Sequence, residues 1–354
     1  MNHAARRAAL ASSLRQHEYD YGLVTDLINV RYLTGFTGSN GALKLAADGT
    51  ATLVTDGRYK DQAIAEATDV VRVIARDLLE ALCAGASGRV AIETHTVSVD
   101  DYARIEKLLP GADLCSLARA VEQLREVKDA DEVALIRQAC EISTRALQDL
   151  FEGPLAGRTE RAIARDLELR MLDLGADGIA FETIVATGPN SAIPHHSPTD
   201  RVTEGGDLLK IDFGALVDGY HADCTRTVVL GAAHDWQREI YAAVEASQQA
   251  GVDALVGGNL IGASKVAADA VLADAGWLEH FTTGLGHGVG LQIHEDPFLH
   301  TDHTGKLIPC MTLTMEPGVY LPGRGGVRIE DTLVITGGAA EALTSMTKDL
   351  LELA

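Results

Sequence analysis

Apolar and polar positions change rhythm several times along the chain, and each change marks an element. Residues 4–16 alternate Ala and Leu with polar side chains, which predicts an amphipathic helix. The run GLVTDLINVRYLTGF has the apolar density of a strand ending in a glycine turn. ALKLAADGTATLVTD predicts two short strands about Asp48-Gly49, Arg58 to Glu66 returns to helix, and RVAIET is a further strand. Helix alternating with strand predicts an α/β domain with its own core.

Around residues 117–131 the texture becomes charged and strongly helical, and a domain boundary is placed near Leu124. The chain is thus read as 1–124 and 125–354. Asp129 or Asp131 can cap a helix over 131–152, and a second helix follows over 158–174. FETIVATG is strand-like, a helical stretch covers about 235–275, and LQIHE, TLTMEPGVYL and GGVRIEDTLVIT read as strands.

Composition narrows the classes. At 354 residues the chain can hold two domains with sizeable cores. A formal net charge of −21 argues against binding nucleic-acid phosphates. No apolar run reaches the roughly 18 residues of a membrane span, and the N-terminus lacks the continuous apolar stretch of a signal peptide. The five cysteines are scattered and odd in number, which suits reduced thiols in a cytoplasmic protein.

Asp212 and Asp223 lie in two apolar runs that flank Asp218-Gly219, a two-residue hairpin signal. That turn sets Asp212 opposite Thr225, so Asp223 is its diagonal neighbour on the same face. Glu316 and Glu330 flank LPGRGG in a second apolar hairpin, where an even spacing lets both face one side. The plainer alternatives are solvated aspartates in the first hairpin and a salt bridge, with Arg328, in the second. His287 sits in GLGHGVG, which lacks the pattern of a phosphate loop and carries a histidine at its centre. His294 follows in QIHE, and His195-His196 form a tandem that alone is ambiguous. Four carboxylates and one imidazole in apolar or Gly-rich sequence are costly to converge unless cations hold them. Such ligands suit two hard or borderline divalent ions. With no Gly-x-Ser-x-Gly elbow and no marked cysteine, water activated by metal is the best nucleophile on offer.

These segments resemble a known family. IDFGA, DGYHADCTRT, GHGVGLQIHE, MEPGVY and GGVRIEDT are similar to the pita-bread metallopeptidases that cleave Xaa-Pro bonds, among them aminopeptidase P and prolidase. NVRYLTGFTGSNGAL and LVTDGRY resemble the N-terminal domain of creatinase-like proteins. The resemblance covers essentially the whole chain. It implies an α/β creatinase-like N-terminal domain, which mediates a homodimer and narrows the cleft, and an α+β pita-bread catalytic domain. It implies that Asp212 chelates one metal, that Asp223 and Glu330 bridge two, and that His287 and Glu316 complete the set. Glu316 would also be the general base and proton shuttle. His195 and His294 would line the substrate cleft and stabilise the tetrahedral intermediate, while Thr225 and Arg328 would orient the metal-binding carboxylates. Mn²⁺ suits this ligand set best, with Co²⁺ or Zn²⁺ as alternatives.

Two departures stand out. Many relatives carry a histidine four residues before the metal histidine, where this chain has Thr283. Some prolidases place an arginine after their HExP motif to grip a dipeptide's carboxylate, whereas His294-Glu295-Asp296-Pro297 is followed here by Phe298. The missing clamp favours an aminopeptidase acting on short peptides with proline at the second position. The alternative is an Xaa-Pro dipeptidase, and a remote one is a peptide-binding module without catalysis. Creatinase-like amidinohydrolases and methionine aminopeptidases fit less well, the former for lack of the full ligand set and the latter for lack of the N-terminal domain.

Overall fold

In the computed structural model, which describes residues 1–353, the chain divides into two units, Met1–Arg125 and Glu126–Ala354. The first unit runs α1 (His3–Gln16), β1 (Tyr21–Val24), α2 (Leu27–Thr34), β2 (Gly41–Ala46), β3 (Ala51–Thr55) and α3 (Lys60–Glu66). It continues with β4 (Val71–Ile74), α4 (Leu78–Cys83), β5 (Arg89–Ile92), α5 (Val99–Leu108), β6 (Asp113–Ser116) and α6 (Ala120–Arg125). Its strands form one mixed sheet in the order β4-β3-β2-β1-β5-β6. Leu23, Val54, Val90 and Ile92 bury one face of that sheet against Leu82, Ile105 and Leu109.

One expected strand is shorter than its apolar pattern. The run over 22–36 is extended only to Val24, because the Asp26 carboxylate accepts from the Ile28 and Asn29 N–H groups and starts α2. Gly35, at φ 79°, ends that helix in the left-handed region.

The second unit opens with α7 (Ala130–Phe151), whose N-terminus is closed by a capping box between Asp129 and Glu132, and α8 (Glu160–Asp173). Next come β7 (Gly178–Ile179), β8 (Ile184–Thr187), β9 (Leu208–Phe213), β10 (Ala215–Val217), β11 (Tyr220–His221) and β12 (Cys224–Leu230). After α9 (Asp235–Ala254) and α10 (Gly262–Asp274) the chain forms β13 (Thr312–Met315), β14 (Gly318–Leu321), β15 (Gly325–Arg328), β16 (Asp331–Val334), β17 (Glu341–Ala342) and β18 (Glu352–Leu353). The single helical stretch expected over 235–275 is therefore two helices, interrupted around Val256-Gly257-Gly258. LQIHE is not a strand. Residues 291–295 form a loop that makes one bridge, Gly288 to Glu295, and the buried Glu295 side chain pairs with Lys128 Nζ at 2.7 Å.

Two long hairpins dominate this unit. The first keeps one register from Val229↔Leu208 through Thr225↔Asp212 to Val217↔Tyr220, with a break in its ladder where Gly214 faces Asp223. A side chain at Gly214 would begin 1.8 Å from the Ala222 carbonyl oxygen, so the close approach there requires glycine. The second hairpin keeps one register from Thr312↔Val334 to Leu321↔Gly325, which sets Glu316 directly across from Glu330. Leu208, Val229, Val319 and Val327 from both hairpins pack with Ile240, Val244 and Leu272 of α9 and α10 into one core. At about 1.5–3 kcal/mol per large apolar side chain buried, this core holds both acidic hairpins in place. Among the described residues, no helix is long and apolar enough to cross a membrane.

Candidate metal centre

The break in each hairpin is where the acidic residues sit. Asp212 lies near the end of β9, Asp223 just before β12, Glu316 just after β13 and Glu330 just before β16. Backbone and side-chain bonds stitch the two hairpins together. The Glu330 N–H donates to the Thr225 carbonyl (3.1 Å), and Thr225 Oγ1 donates to Glu330 Oε2 (2.7 Å). The Thr332 hydroxyl donates to the Asp223 carbonyl at 2.8 Å. The loop carrying His287 lies along β13, with Thr314 N donating to the His287 carbonyl (2.8 Å) and Glu316 N to that of Leu285 (2.8 Å).

Donor atoms of Asp223, His287 and Glu330 lie within 4.8 Å of one another. His287 Nε2 is 3.5 Å from Asp223 Oδ2 and 3.4 Å from Glu316 Oε1. The Nδ1–H of His287 donates to the Gly288 carbonyl at 2.9 Å, which turns Nε2 toward the carboxylates. Asp212 is held from behind by Arg328, whose guanidinium donates to Asp212 Oδ2, Thr225 Oγ1 (3.0 Å), the Tyr320 hydroxyl (3.0 Å) and the Pro194 carbonyl (3.3 Å). All five expected ligands therefore line one cleft, Asp223, His287 and Glu330 in one tight group with Asp212 and Glu316 beside it.

The charge balance of this group is poor. Asp223, Glu330 and Asp212 are buried, and Asp212 Oδ1 and Glu330 Oε1 have no hydrogen-bond partner. Burial first, then the charges of Glu330, Asp212 and Glu316, push the Asp223 carboxyl well above its usual range. Burial, followed by the charges of Glu316 and Asp212, does the same to Glu330. Burial works to raise Glu316 as well, but the hydrogen bond and charge of His287 outweigh it and hold that carboxyl below its usual value. Oxygen atoms without donors, opposed carboxylates and one oriented imidazole nitrogen are a donor set that divalent cations satisfy. The residues present fit such ions.

The cleft has a volume of about 830 Å³ and walls of Phe181, Ile184, Ile193 and Phe298. His294 stands edge-on to His287, ring centroids 4.4 Å apart, and burial with the charge of His287 holds its imidazole below the usual value. Of the tandem histidines, His195 is exposed and opens onto the cleft, whereas His196 is buried with Nε2 2.8 Å from Glu160. Thr283 also lines the cleft.

Three residues of this region escaped the sequence reading. His300 lines the cleft and stacks on Phe298, with ring centroids 6.2 Å apart and planes 20° from parallel. Glu160 accepts from Thr187 N, Asn190 Nδ2, His196, Thr199 N and Thr199 Oγ1, and so organises the segment around His195. Lys210 is fully buried, and burial, with the charge of Arg328, pushes its ammonium down to about 6. A lysine inside the apolar run LLKIDF was the one signal available for it.

Comparison with known proteins adds to this geometry. The family model for metallopeptidase family M24 matches residues 134–337, and that for the creatinase/prolidase N-terminal domain matches residues 6–127. A protein from Pyrococcus furiosus named Xaa-Pro dipeptidase is 32% identical over 353 residues, covering 98% of this chain and 99% of that protein. The solved structure of an Xaa-Pro dipeptidase from Bacillus anthracis superposes with a TM-score of 0.95 at 31% identity, over 99% of this chain and 100% of that one. An X-Pro aminopeptidase from Thermotoga maritima gives 0.90 at 32% identity, over 98% and 99%.

Proposed function

This chain belongs to metallopeptidase family M24, and on that premise we propose that it is a metal-dependent Xaa-Pro dipeptidase. The observation that carries the chemistry is the carboxylate group itself, in which Asp212 Oδ1 and Glu330 Oε1 have no hydrogen-bond partner while Asp223 and Glu316 face His287 Nε2. Asp212, Asp223, His287, Glu316 and Glu330 would hold two divalent ions, Mn²⁺ by preference and Co²⁺ or Zn²⁺ otherwise. Bound there, the ions supply Lewis acidity and an acidified water. Glu316 would serve as general base toward the attacking water and pass the proton to the proline nitrogen, which as a tertiary amide has no N–H of its own. His294 and His195 donate to the oxygen that gains charge as the carbonyl is attacked. Thr225 and Arg328 keep Glu330 and Asp212 in orientation.

The preference for a dipeptide revises the expectation drawn from Phe298. Full-length likeness to proteins named Xaa-Pro dipeptidase supports this reading over the aminopeptidase, which the likeness to the Thermotoga maritima enzyme supports as the second reading. A carboxylate grip does not require arginine at 298, because His195 and His300 both offer imidazoles to the cleft. We also propose a homodimer built through the N-terminal unit, which light scattering after size exclusion would contradict by giving a monomer mass. A cytoplasmic location is supported by five free cysteines.

The test compares Ala-Pro with Ala-Pro-Ala, using metal-stripped protein before and after addition of Mn²⁺. The dipeptidase reading expects Mn²⁺-dependent cleavage with Ala-Pro preferred. Cleavage of the tripeptide alone, releasing alanine, would make the enzyme an aminopeptidase, and no cleavage of either would remove the Xaa-Pro assignment.

A further inference from the structure

Lys210 is a fully buried amine that the proposed metal chemistry does not use. It lies on β9 two residues before Asp212, so both side chains leave the same face of the strand. Its Nζ donates to the carbonyls of Ile193 (2.7 Å) and Pro194 (3.3 Å) and stands 5.0 Å from the centroid of the Tyr320 ring. Arg328 donates to the same Pro194 carbonyl at 3.3 Å and to the Tyr320 hydroxyl at 3.0 Å. Two buried basic side chains therefore converge on one short segment, and Lys210 is bonded to neutral carbonyls and not to a carboxylate.

An amine buried among apolar neighbours is costly even with its carbonyl partners, and an apolar side chain would fill this strand position at less expense. What the amine accomplishes is local. It fixes two consecutive carbonyls immediately before His195, while on the other side the His196 ring is tied to Glu160 at 2.8 Å. His195 is thus presented to the cleft from a backbone anchored at both ends. We propose that Lys210 is a positioning residue, which docks the Ile193-Pro194 segment onto the strand carrying Asp212 and so sets where His195 meets the substrate. This role rests on the peptidase reading above.

The test is a double-mutant cycle on Mn²⁺-loaded enzyme with Ala-Pro or whichever Xaa-Pro peptide the wild type cleaves. Lys210→Met should lower kcat/KM about tenfold, since small misplacement of a group at a reacting centre has effects up to about a hundredfold. It should move the same parameter, kcat or KM, that His195→Ala moves. In the His195→Ala background the Lys210→Met effect should shrink to less than about twofold, because the residue being positioned is gone. Bound metal per chain should stay at the wild-type value. An effect that persists undiminished without His195, a loss of bound metal, or unchanged kinetics in the single variant would each overturn the role. Should Lys210→Met fail to fold, Lys210→Gln keeps N–H donors for the carbonyls and enters the same cycle. A wild type inactive on every Xaa-Pro peptide would instead overturn the reaction itself, and this role with it.

Discussion

Two fully buried glutamates of the second unit, Glu160 in the segment behind His195 and Glu330 in the proposed metal centre, live in opposite surroundings. Glu160 accepts from five donors spread over both carboxylate oxygens. Burial works to raise it, but the hydrogen bonds of Thr199, His196, Asn190 and Thr187 prevail and hold it below its usual range. Glu330 has one side-chain donor, Thr225 on Oε2, while Oε1 has none, and burial with neighbouring carboxylates drives it well above that range. Burial alone therefore says little about role. A carboxylate whose oxygens are filled by N–H and O–H groups is a structural hub, and one left facing other carboxylates calls for a cation.

The contrast breaks most readily at Glu330. Glu330→Gln should cost at least about a hundredfold in kcat/KM, the scale of removing a group that stabilises charge at a reacting centre. The same substitution should raise the melting temperature of metal-free protein at neutral pH, because it removes one of the opposed charges. A drop in that melting temperature would place Glu330 with Glu160.

Glu160→Gln should do the reverse. It should destabilise the fold by about 1–3 kcal/mol, as expected when buried donors lose their charged acceptor, while bound metal per chain stays unchanged. Loss of metal in this variant would erase the distinction.

pH sharpens the comparison further. Asp223 and Glu330 have raised folded-state pKa values, so their contribution to metal-free stability is present below the ordinary carboxylate range and lost as pH rises through the raised values. Glu160, depressed, contributes above that range and loses its contribution only as pH falls through its lowered value. The rise in melting temperature on adding Mn²⁺ should consequently grow from pH 5 to pH 8. Calorimetric scans showing a constant increment would contradict this.

The smallest expected effect concerns His300. His300→Ala should reduce the preference for Ala-Pro over Ala-Pro-NH2 by about two- to tenfold, the net worth of one solvent-exposed hydrogen bond of ordinary strength. Equal losses on both substrates would separate His300 from the carboxylate.

Legibility in the sequence followed the range of the contacts. The Asp218-Gly219 turn is two residues long, so counting back from it pairs Asp212 with Thr225, as the structure has it. The second hairpin turns through the longer LPGRGG segment, which left open the register that sets Glu316 across from Glu330. Residues 27–34 were mistaken for strand because a short apolar run has no distinctive period, and the deciding signal was the Asp26 cap. The roles of Glu160 and Lys210 were hidden for another reason. Their hydrogen-bond partners lie 16 to 39 residues away, in segments whose path no local pattern encodes.

The most direct test of the central claim is a calorimetric titration of Mn²⁺ into metal-stripped protein at pH 7.5. The account predicts two equivalents bound per chain, with Glu330→Gln losing binding and Glu160→Gln keeping it. No saturable binding to the wild-type chain would contradict it.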